Sequence, residues 1–157
     1  GVRWTGKKTS VVGGGGAVPL AEGRMEVLLA KPRTVMNRSG EAAEYLVSRW
    51  RVDARGLLVV YDDMDLPLGT IRVRPMGSSA GHKGMQSIID ALGTQEVPRI
   101  RVGIGRGEGQ EADAVDYLLS DFTDEEEQTL EGVVATVSDA ILCILAEGLE
   151  AAMNRFN

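Results

Sequence analysis

The sequence predicts an α/β fold, a single domain over residues 1–157 with a twisted mixed sheet flanked by helices. Three observations carry this. Short apolar or alternating runs read as strands: LLVVY at 57–61, TIRVR at 70–74 and RIRVGI at 99–104. Segments with helical spacing follow them in turn. The chain has 157 residues, 43% hydrophobic and 25% charged. A chain of that size buries roughly 70% of the surface it exposes when unfolded, enough for one core.

Taken in order, Gly1 to Gly23 contains Gly13, Gly14, Gly15 and Gly16 followed by Pro19. The backbone entropy of four consecutive glycines predicts a loop or hairpin tip. No Lys-Ser/Thr or helix start follows the glycines, so they do not read as a phosphate cradle. MEVLLA at 25–30 reads as a short buried strand ending at Lys31-Pro32. Ser39 is a suitable N-cap for a helix over about 40–50, with Ala42, Ala43, Leu46, Val47 and Trp50 on one face. LLVVY, apolar throughout, is expected to be covered on both faces. DDMDLPLG at 62–69 is turn chemistry, TIRVR a half-buried strand, and GSSAGHKG at 77–84 a flexible loop before a helix over about 85–92. RIRVGI is a further strand, and 113–119 a short helix. Thr123 to Glu126 form a capping box opening a long helix to Glu147, whose first turn holds Asp124, Glu125, Glu126 and Glu127 where the helix dipole favours them. Gly148 interrupts, and 149–155 forms a last helical segment.

Composition removes several functions. The one cysteine excludes an internal disulfide and a Cys-based zinc cluster, and the one histidine excludes any site needing two imidazoles. Cys143, within Ile-Leu-Cys-Ile-Leu, reads as a buried small hydrophobe. No apolar run approaches the roughly 20 residues of a bilayer span, and no signal peptide is visible. A reducing, cytoplasmic setting and no membrane follow as expectations. The net charge of −6 argues against nucleic acid, but its distribution reverses that inference. Residues 1–106 hold 16 Lys and Arg against 10 Asp and Glu, while residues 107–157 hold 1 against 13. A basic face on an otherwise acidic chain fits a polyanionic partner.

Three groups of residues could carry chemistry. Asp62, Asp63 and Asp65 leave the carboxyl end of a strand, where α/β proteins place ligands. They suit a Mg²⁺ ion, the orientation of a base, or plain turn formation. His82 lies between glycines in a loop, with Arg72, Arg74, Lys83, Arg99, Arg101 and Arg106 around it in sequence. Those cations share a solvent face if the strands alternate, which suits phosphate as well as simple solvation. Asn37 precedes a helix start, where its amide caps the helix or donates to a developing oxyanion.

KPRTVMNRSG, LLVVYDDMDLPLG, GSSAGHKGMQSIIDALGTQEVPRIRVGIGR, AVDYLLSDF and EGLEAAMNRF, in register from about residue 25 to 157, resemble bacterial peptidyl-tRNA hydrolase. That resemblance implies a small cytosolic α/β monomer. Such proteins hydrolyse the ester joining a peptide to the 3′ end of tRNA, and need no cofactor or metal. By the same resemblance, Asn37 binds substrate and positions the attacking water, and Val35 contacts the terminal nucleotide or ester. Asp62 holds a catalytic histidine in its basic form, and His82 is an auxiliary histidine. Lys83 stands where the family usually has asparagine, replacing an amide with a charged donor beside the tRNA. The family's leading strand, Gly-x-Gly-Asn-Pro-Gly loop and Thr-Arg-His-Asn motif have no counterpart here. The chain is therefore expected to lack the segment carrying the general base, and to hydrolyse poorly. The competing expectation is a non-catalytic RNA-binding module of the kind found among plant organelle splicing factors. A Mg²⁺-dependent phosphoryl-transfer enzyme built on Asp62, Asp63 and Asp65 is a third.

Overall fold

The computed structural model describes residues 6–7, 11–21, 23–105 and 121–157. The short helix expected at 113–119 and the side chain of Arg106 lie outside them. The element order is β1 (Gly6–Lys7), β2 (Val11–Leu20), β3 (Gly23–Pro32), α1 (Ser39–Trp50), β4 (Val59–Asp63), β5 (Ile71–Arg74), α2 (Lys83–Leu92), β6 (Arg99–Gly103), α3 (Asp124–Glu147) and α4 (Leu149–Phe156). The chain divides into two compact units, 1–58 with 75–98, and 59–74 with 99–157.

In the first unit the glycine run is a strand, not a loop. β2 pairs antiparallel with β3 from Val11↔Pro32 to Leu20↔Gly23, and β1 adds to its other edge. This ladder satisfies the glycine backbones and offsets their entropy. The Leu28 side chain lies over Gly13 and Gly15 in place of side chains they lack. MEVLLA is the middle of β3 and is not buried, with Met25 and Leu29 about 40% exposed. The apolar run therefore reports a strand here without reporting a core. α1 packs against α2, burying Ala42, Ala43, Met85 and Ile88.

The second unit holds the mixed sheet, ordered β4-β6-β5, with β4 parallel and β5 antiparallel to β6. The strand expected at 57–61 starts at Val59 and runs on through Asp62 and Asp63, which were expected to turn. It is an edge strand among the described residues, and Val60 is 44% exposed, so the expected cover on both faces is absent. Ile71, Val73 and Ile100 form the buried face. α4 packs on β5, and α3 runs into α4 through Gly148 (φ 93°). The Thr123–Glu126 capping box forms as expected, and Cys143 is buried. By length and composition α3 is apolar enough to cross a membrane, against the expectation that no segment would be. Its Ala, Val and Ile content is spread among Thr, Ser and Gly, so no single run betrays it, and Asp139 sits within it.

The glycine strand is open to improvement. Nothing lies near the position of a Cβ on Gly16, and its backbone is not left-handed. Gly16→Val should stabilise the protein by about 0.5–1 kcal/mol, read as a higher Tm; a lower Tm would show that the hairpin requires glycine there.

Candidate functional site

In the first unit the site is built from the turn before α1 and the start of α2. Met36–Arg38 form one tight helical turn, closed by Arg38 N–H donating to the Val35 carbonyl at 2.9 Å. Ser39, expected as N-cap, is instead the first residue of α1, and Arg38 occupies the cap position without a side-chain bond. The Ser39 hydroxyl turns back to donate to the Met36 carbonyl at 2.8 Å, tying the turn to the helix. Asn37 sits in that turn rather than at the cap. It is exposed, and among the described residues its amide has no partner. Val35 and Met36 flank it, 65% and 53% exposed.

Two glycines bring this turn to α2. A Cβ on Gly40 would collide with the Ser87 carbonyl and lie 2.7 Å from the Ala91 Cβ. The two helices touch backbone to backbone there, and Gly40 N–H donates to the Ser87 hydroxyl at 2.9 Å. A Cβ on Gly84 would stand 2.5 Å from the Met36 sulfur and 3.0 Å from His82 Cε1. Met36 therefore seats on the first turn of α2, beside the His82 ring. The glycines beside His82 were expected to mark a close backbone approach, and Gly84 makes one; Met36, Gly40 and Ser87 were not singled out from the sequence. The small residues at 40 and 84 were the available signal.

The 77–84 segment is an ordered entry to α2, which begins at Lys83. Ala80 (φ 47°) and Gly81 (φ 84°) turn the chain through left-handed conformations, which cost Ala roughly 1–2 kcal/mol. His82 N–H then donates to the Ser79 carbonyl at 3.0 Å. The Ser79 hydroxyl bonds Gln86 Oε1, and Gln86 Nε2 donates to Asp90 Oδ1, each at 2.7 Å. His82 is the N-cap: its Nδ1 accepts from Met85 N–H at 3.0 Å. A neutral imidazole whose Nδ1 accepts carries its proton on Nε2, so His82 presents a donor there. Lys83, exposed, is the first helical residue.

In the second unit the sheet has two unlike faces. Arg72 stands opposite Arg101 and Arg74 opposite Arg99, with Tyr61 and Asp63 on the same side. Arg99 is not solvent-facing as expected but 2% exposed. Burial pushes the Tyr61 hydroxyl up, opposed by the Arg99 and Arg101 charges and by a hydrogen bond with Arg99. The hydrogen bond from Arg101 to Asp63 raises the guanidinium further above its ordinary range, against its own desolvation. Asp63 also accepts from Asp65 N–H at 2.9 Å, so its carboxylate is committed to these two donors. No three carboxylate, His or Cys groups converge for a metal among the described residues. Asp62 projects to the opposite face, level with Val102, and nothing among the described residues engages it. Val35, Asn37, His82 and Lys83 are thus brought together in one unit; Asp62 belongs to the other and holds no imidazole there.

A family model described as Peptidyl-tRNA hydrolase matches residues 5–157. The peptidyl-tRNA hydrolase of Chloroflexus aggregans is 53% identical over 132 residues, covering 83% of this chain and 70% of that protein. That of Chloroflexus aurantiacus is 50% identical over 142 residues, covering 88% and 75%. Among solved structures, the peptidyl-tRNA hydrolase of Acinetobacter baumannii superposes with a TM-score of 0.87, covering 99% of this chain and 77% of that one at 24% identity, a likeness of fold. The mixed α/β architecture is that of these enzymes, and the chain belongs to the peptidyl-tRNA hydrolase family.

Proposed function

We propose that the chain cleaves the ester between the acyl carbon of a peptide and the 3′ oxygen of tRNA, with water as nucleophile. The observation that carries this reading is the seating of the Met36–Asn37 turn on the His82–Gly84 start of α2. Ester hydrolysis needs donors where the carbonyl oxygen becomes negative, and donors fixed by backbone geometry act without reorganising. Asn37 supplies an amide donor, His82 an Nε2–H, and Val35 an apolar contact for the terminal nucleotide. Lys83, the exposed Arg74 and the half-buried Arg72, whose Nη1 also donates to the Ile71 carbonyl at 2.9 Å, supply the field and contacts for the tRNA backbone.

His82 is the sole histidine of the sequence, and its Nδ1 is spent on the α2 cap. We therefore assign it a donor's role, assign Asp62 by the family resemblance alone, and expect slow turnover relative to binding. Residues 1–157 are taken as one functional domain, a cytoplasmic monomer without a cofactor. The single, buried Cys143 is consistent with a reducing compartment.

Asn37→Ala should lower kcat/KM for peptidyl-tRNA by roughly 10²-fold, the scale of one lost oxyanion or water-positioning donor. Native turnover in that variant would remove Asn37 from the mechanism. Binding without any hydrolysis in the native chain would favour the RNA-binding module instead.

His82 separates capping from chemistry. His82→Ala should lose about 1 kcal/mol of stability with the cap, while His82→Asn restores it. If the Nε2–H serves the reaction, His82→Asn melts like the native protein yet turns over more slowly; a native rate would leave His82 only structural.

tRNA affinity should fall steeply with salt. Arg72→Ala, Arg74→Ala and Lys83→Ala should each weaken it and reduce the slope of log K against log salt by about one contact. A slope unchanged in all three would place the tRNA elsewhere.

A further inference from the structure

The outer edge of β5 has no strand neighbour among the described residues, yet its backbone is paired. Asn157 Oδ1 accepts from Val73 N–H at 2.7 Å, and Asn157 Nδ2 donates to the Val73 carbonyl at 3.1 Å. One side-chain amide thereby reproduces both hydrogen bonds that a neighbouring strand would make. Its delivery is built into the second unit. Ala152, fully buried, seats α4. Arg155 fixes the helix to the end of α3 through a bidentate pair with Glu147, both bonds 3.0 Å. The Asn157 N–H continues the helical ladder to the Met153 carbonyl at 3.2 Å.

What this clamp holds is a strand under electrostatic load. Arg72 and Arg74 flank Val73 and stand directly opposite Arg101 and Arg99, two like-charged cross-strand pairs. Such pairs repel, and Asp63 meets the charge of Arg101. Val73 itself is 0% exposed on the opposite, apolar face. With repulsion on one face and only Ile71 and Val73 buried on the other, the outer edge of this four-residue strand gains from a tether.

We propose that Asn157 is a positioning residue for tRNA binding: its amide stands in for a missing strand at the edge of β5 and holds Arg72 and Arg74 at the spacing that meets successive phosphates. This rests on the reading of that face as the tRNA contact. Asn157 does not itself touch the substrate.

The experiment compares the native chain with Asn157→Ala, Asn157→Asp and the double variant Arg72→Ala/Arg74→Ala. The probes are deacylated tRNA and a short oligonucleotide mimicking the tRNA 3′ end, titrated across a salt series, with amide exchange at Val73 measured alongside. Asn157→Ala should exchange faster at Val73. It should bind tRNA roughly tenfold more weakly with a slope flatter by about one contact, and bind the oligonucleotide as the native chain does. Asn157→Asp keeps the acceptor, loses the donor and adds a carboxylate near the arginines, so it should not rescue. Unchanged Val73 exchange, or native tRNA affinity and slope, overturns the proposal. An equal loss for both probes also overturns it, since that is the mark of general destabilisation. A native slope in the double variant overturns the tRNA-contact reading itself; a flattened slope there beside native binding in Asn157→Ala overturns only the role of Asn157.

Discussion

The site of the first unit depends on one close approach. α1 and α2 meet at Gly40, where the chain has no room for even a methyl group against Ser87 and Ala91. Everything functional in that unit is referred to this contact. It sets the depth at which the Met36–Asn37 turn sits on α2, and the Gly40 to Ser87 hydrogen bond fixes the rotation of α1 about its axis. Protein interiors are too dense to absorb an added carbon without movement, so a side chain at 40 would push the turn outward. The same logic recurs one turn away, where Gly84 admits Met36. Asn37 is therefore placed by packing rather than by any bond of its own, which leaves its amide available.

The second unit solves a different problem, which is to carry charge on one face of a small sheet while burying the other. Alternation along β5 and β6 sends Ile71, Val73 and Ile100 inward and four arginines to the opposite side. A buried guanidinium is costly unless its donors are met. Arg99 sits beside the Tyr61 hydroxyl and Arg101 on Asp63, so the two central arginines are spoken for while Arg74 stays exposed. The centre of the face is thus structural, and its outer strand is the part able to meet an anion.

Much of this was legible in residue patterns. The capping box at Thr123, the break at Gly148, the helix ending at Trp50 and the alternating strands at 71–74 and 99–103 follow from local chemistry that tertiary contacts do not override. The failures were decided by contacts that local patterning does not report, most of them with distant partners. Four glycines form a strand because β3 supplies ten ladder pairs to β2. LLVVY is half exposed because edge position, not apolarity, sets cover. Ser39 gives up the cap because its hydroxyl has the Met36 carbonyl within reach. Arg99 is buried although arginine on an alternating strand usually faces solvent, and no local signal marks it. Asn157 carries no signal either, since its partner lies 84 residues away.

His82 shows how one side chain can constrain the chemistry of a whole site. A loop histidine between glycines suggests freedom, but the ring is held on two sides, by Met85 N–H at Nδ1 and by the Gly84 backbone beneath Cε1. With Nδ1 accepting from Met85 N–H, the neutral ring carries its proton on Nε2. The cap thus opposes use of Nδ1 as a base and favours a donating Nε2. Asn37 adds a second neutral donor on the facing turn, and Lys83, next along α2, adds a positive charge. Two neutral donors and a cation so placed make a surface that favours negative charge.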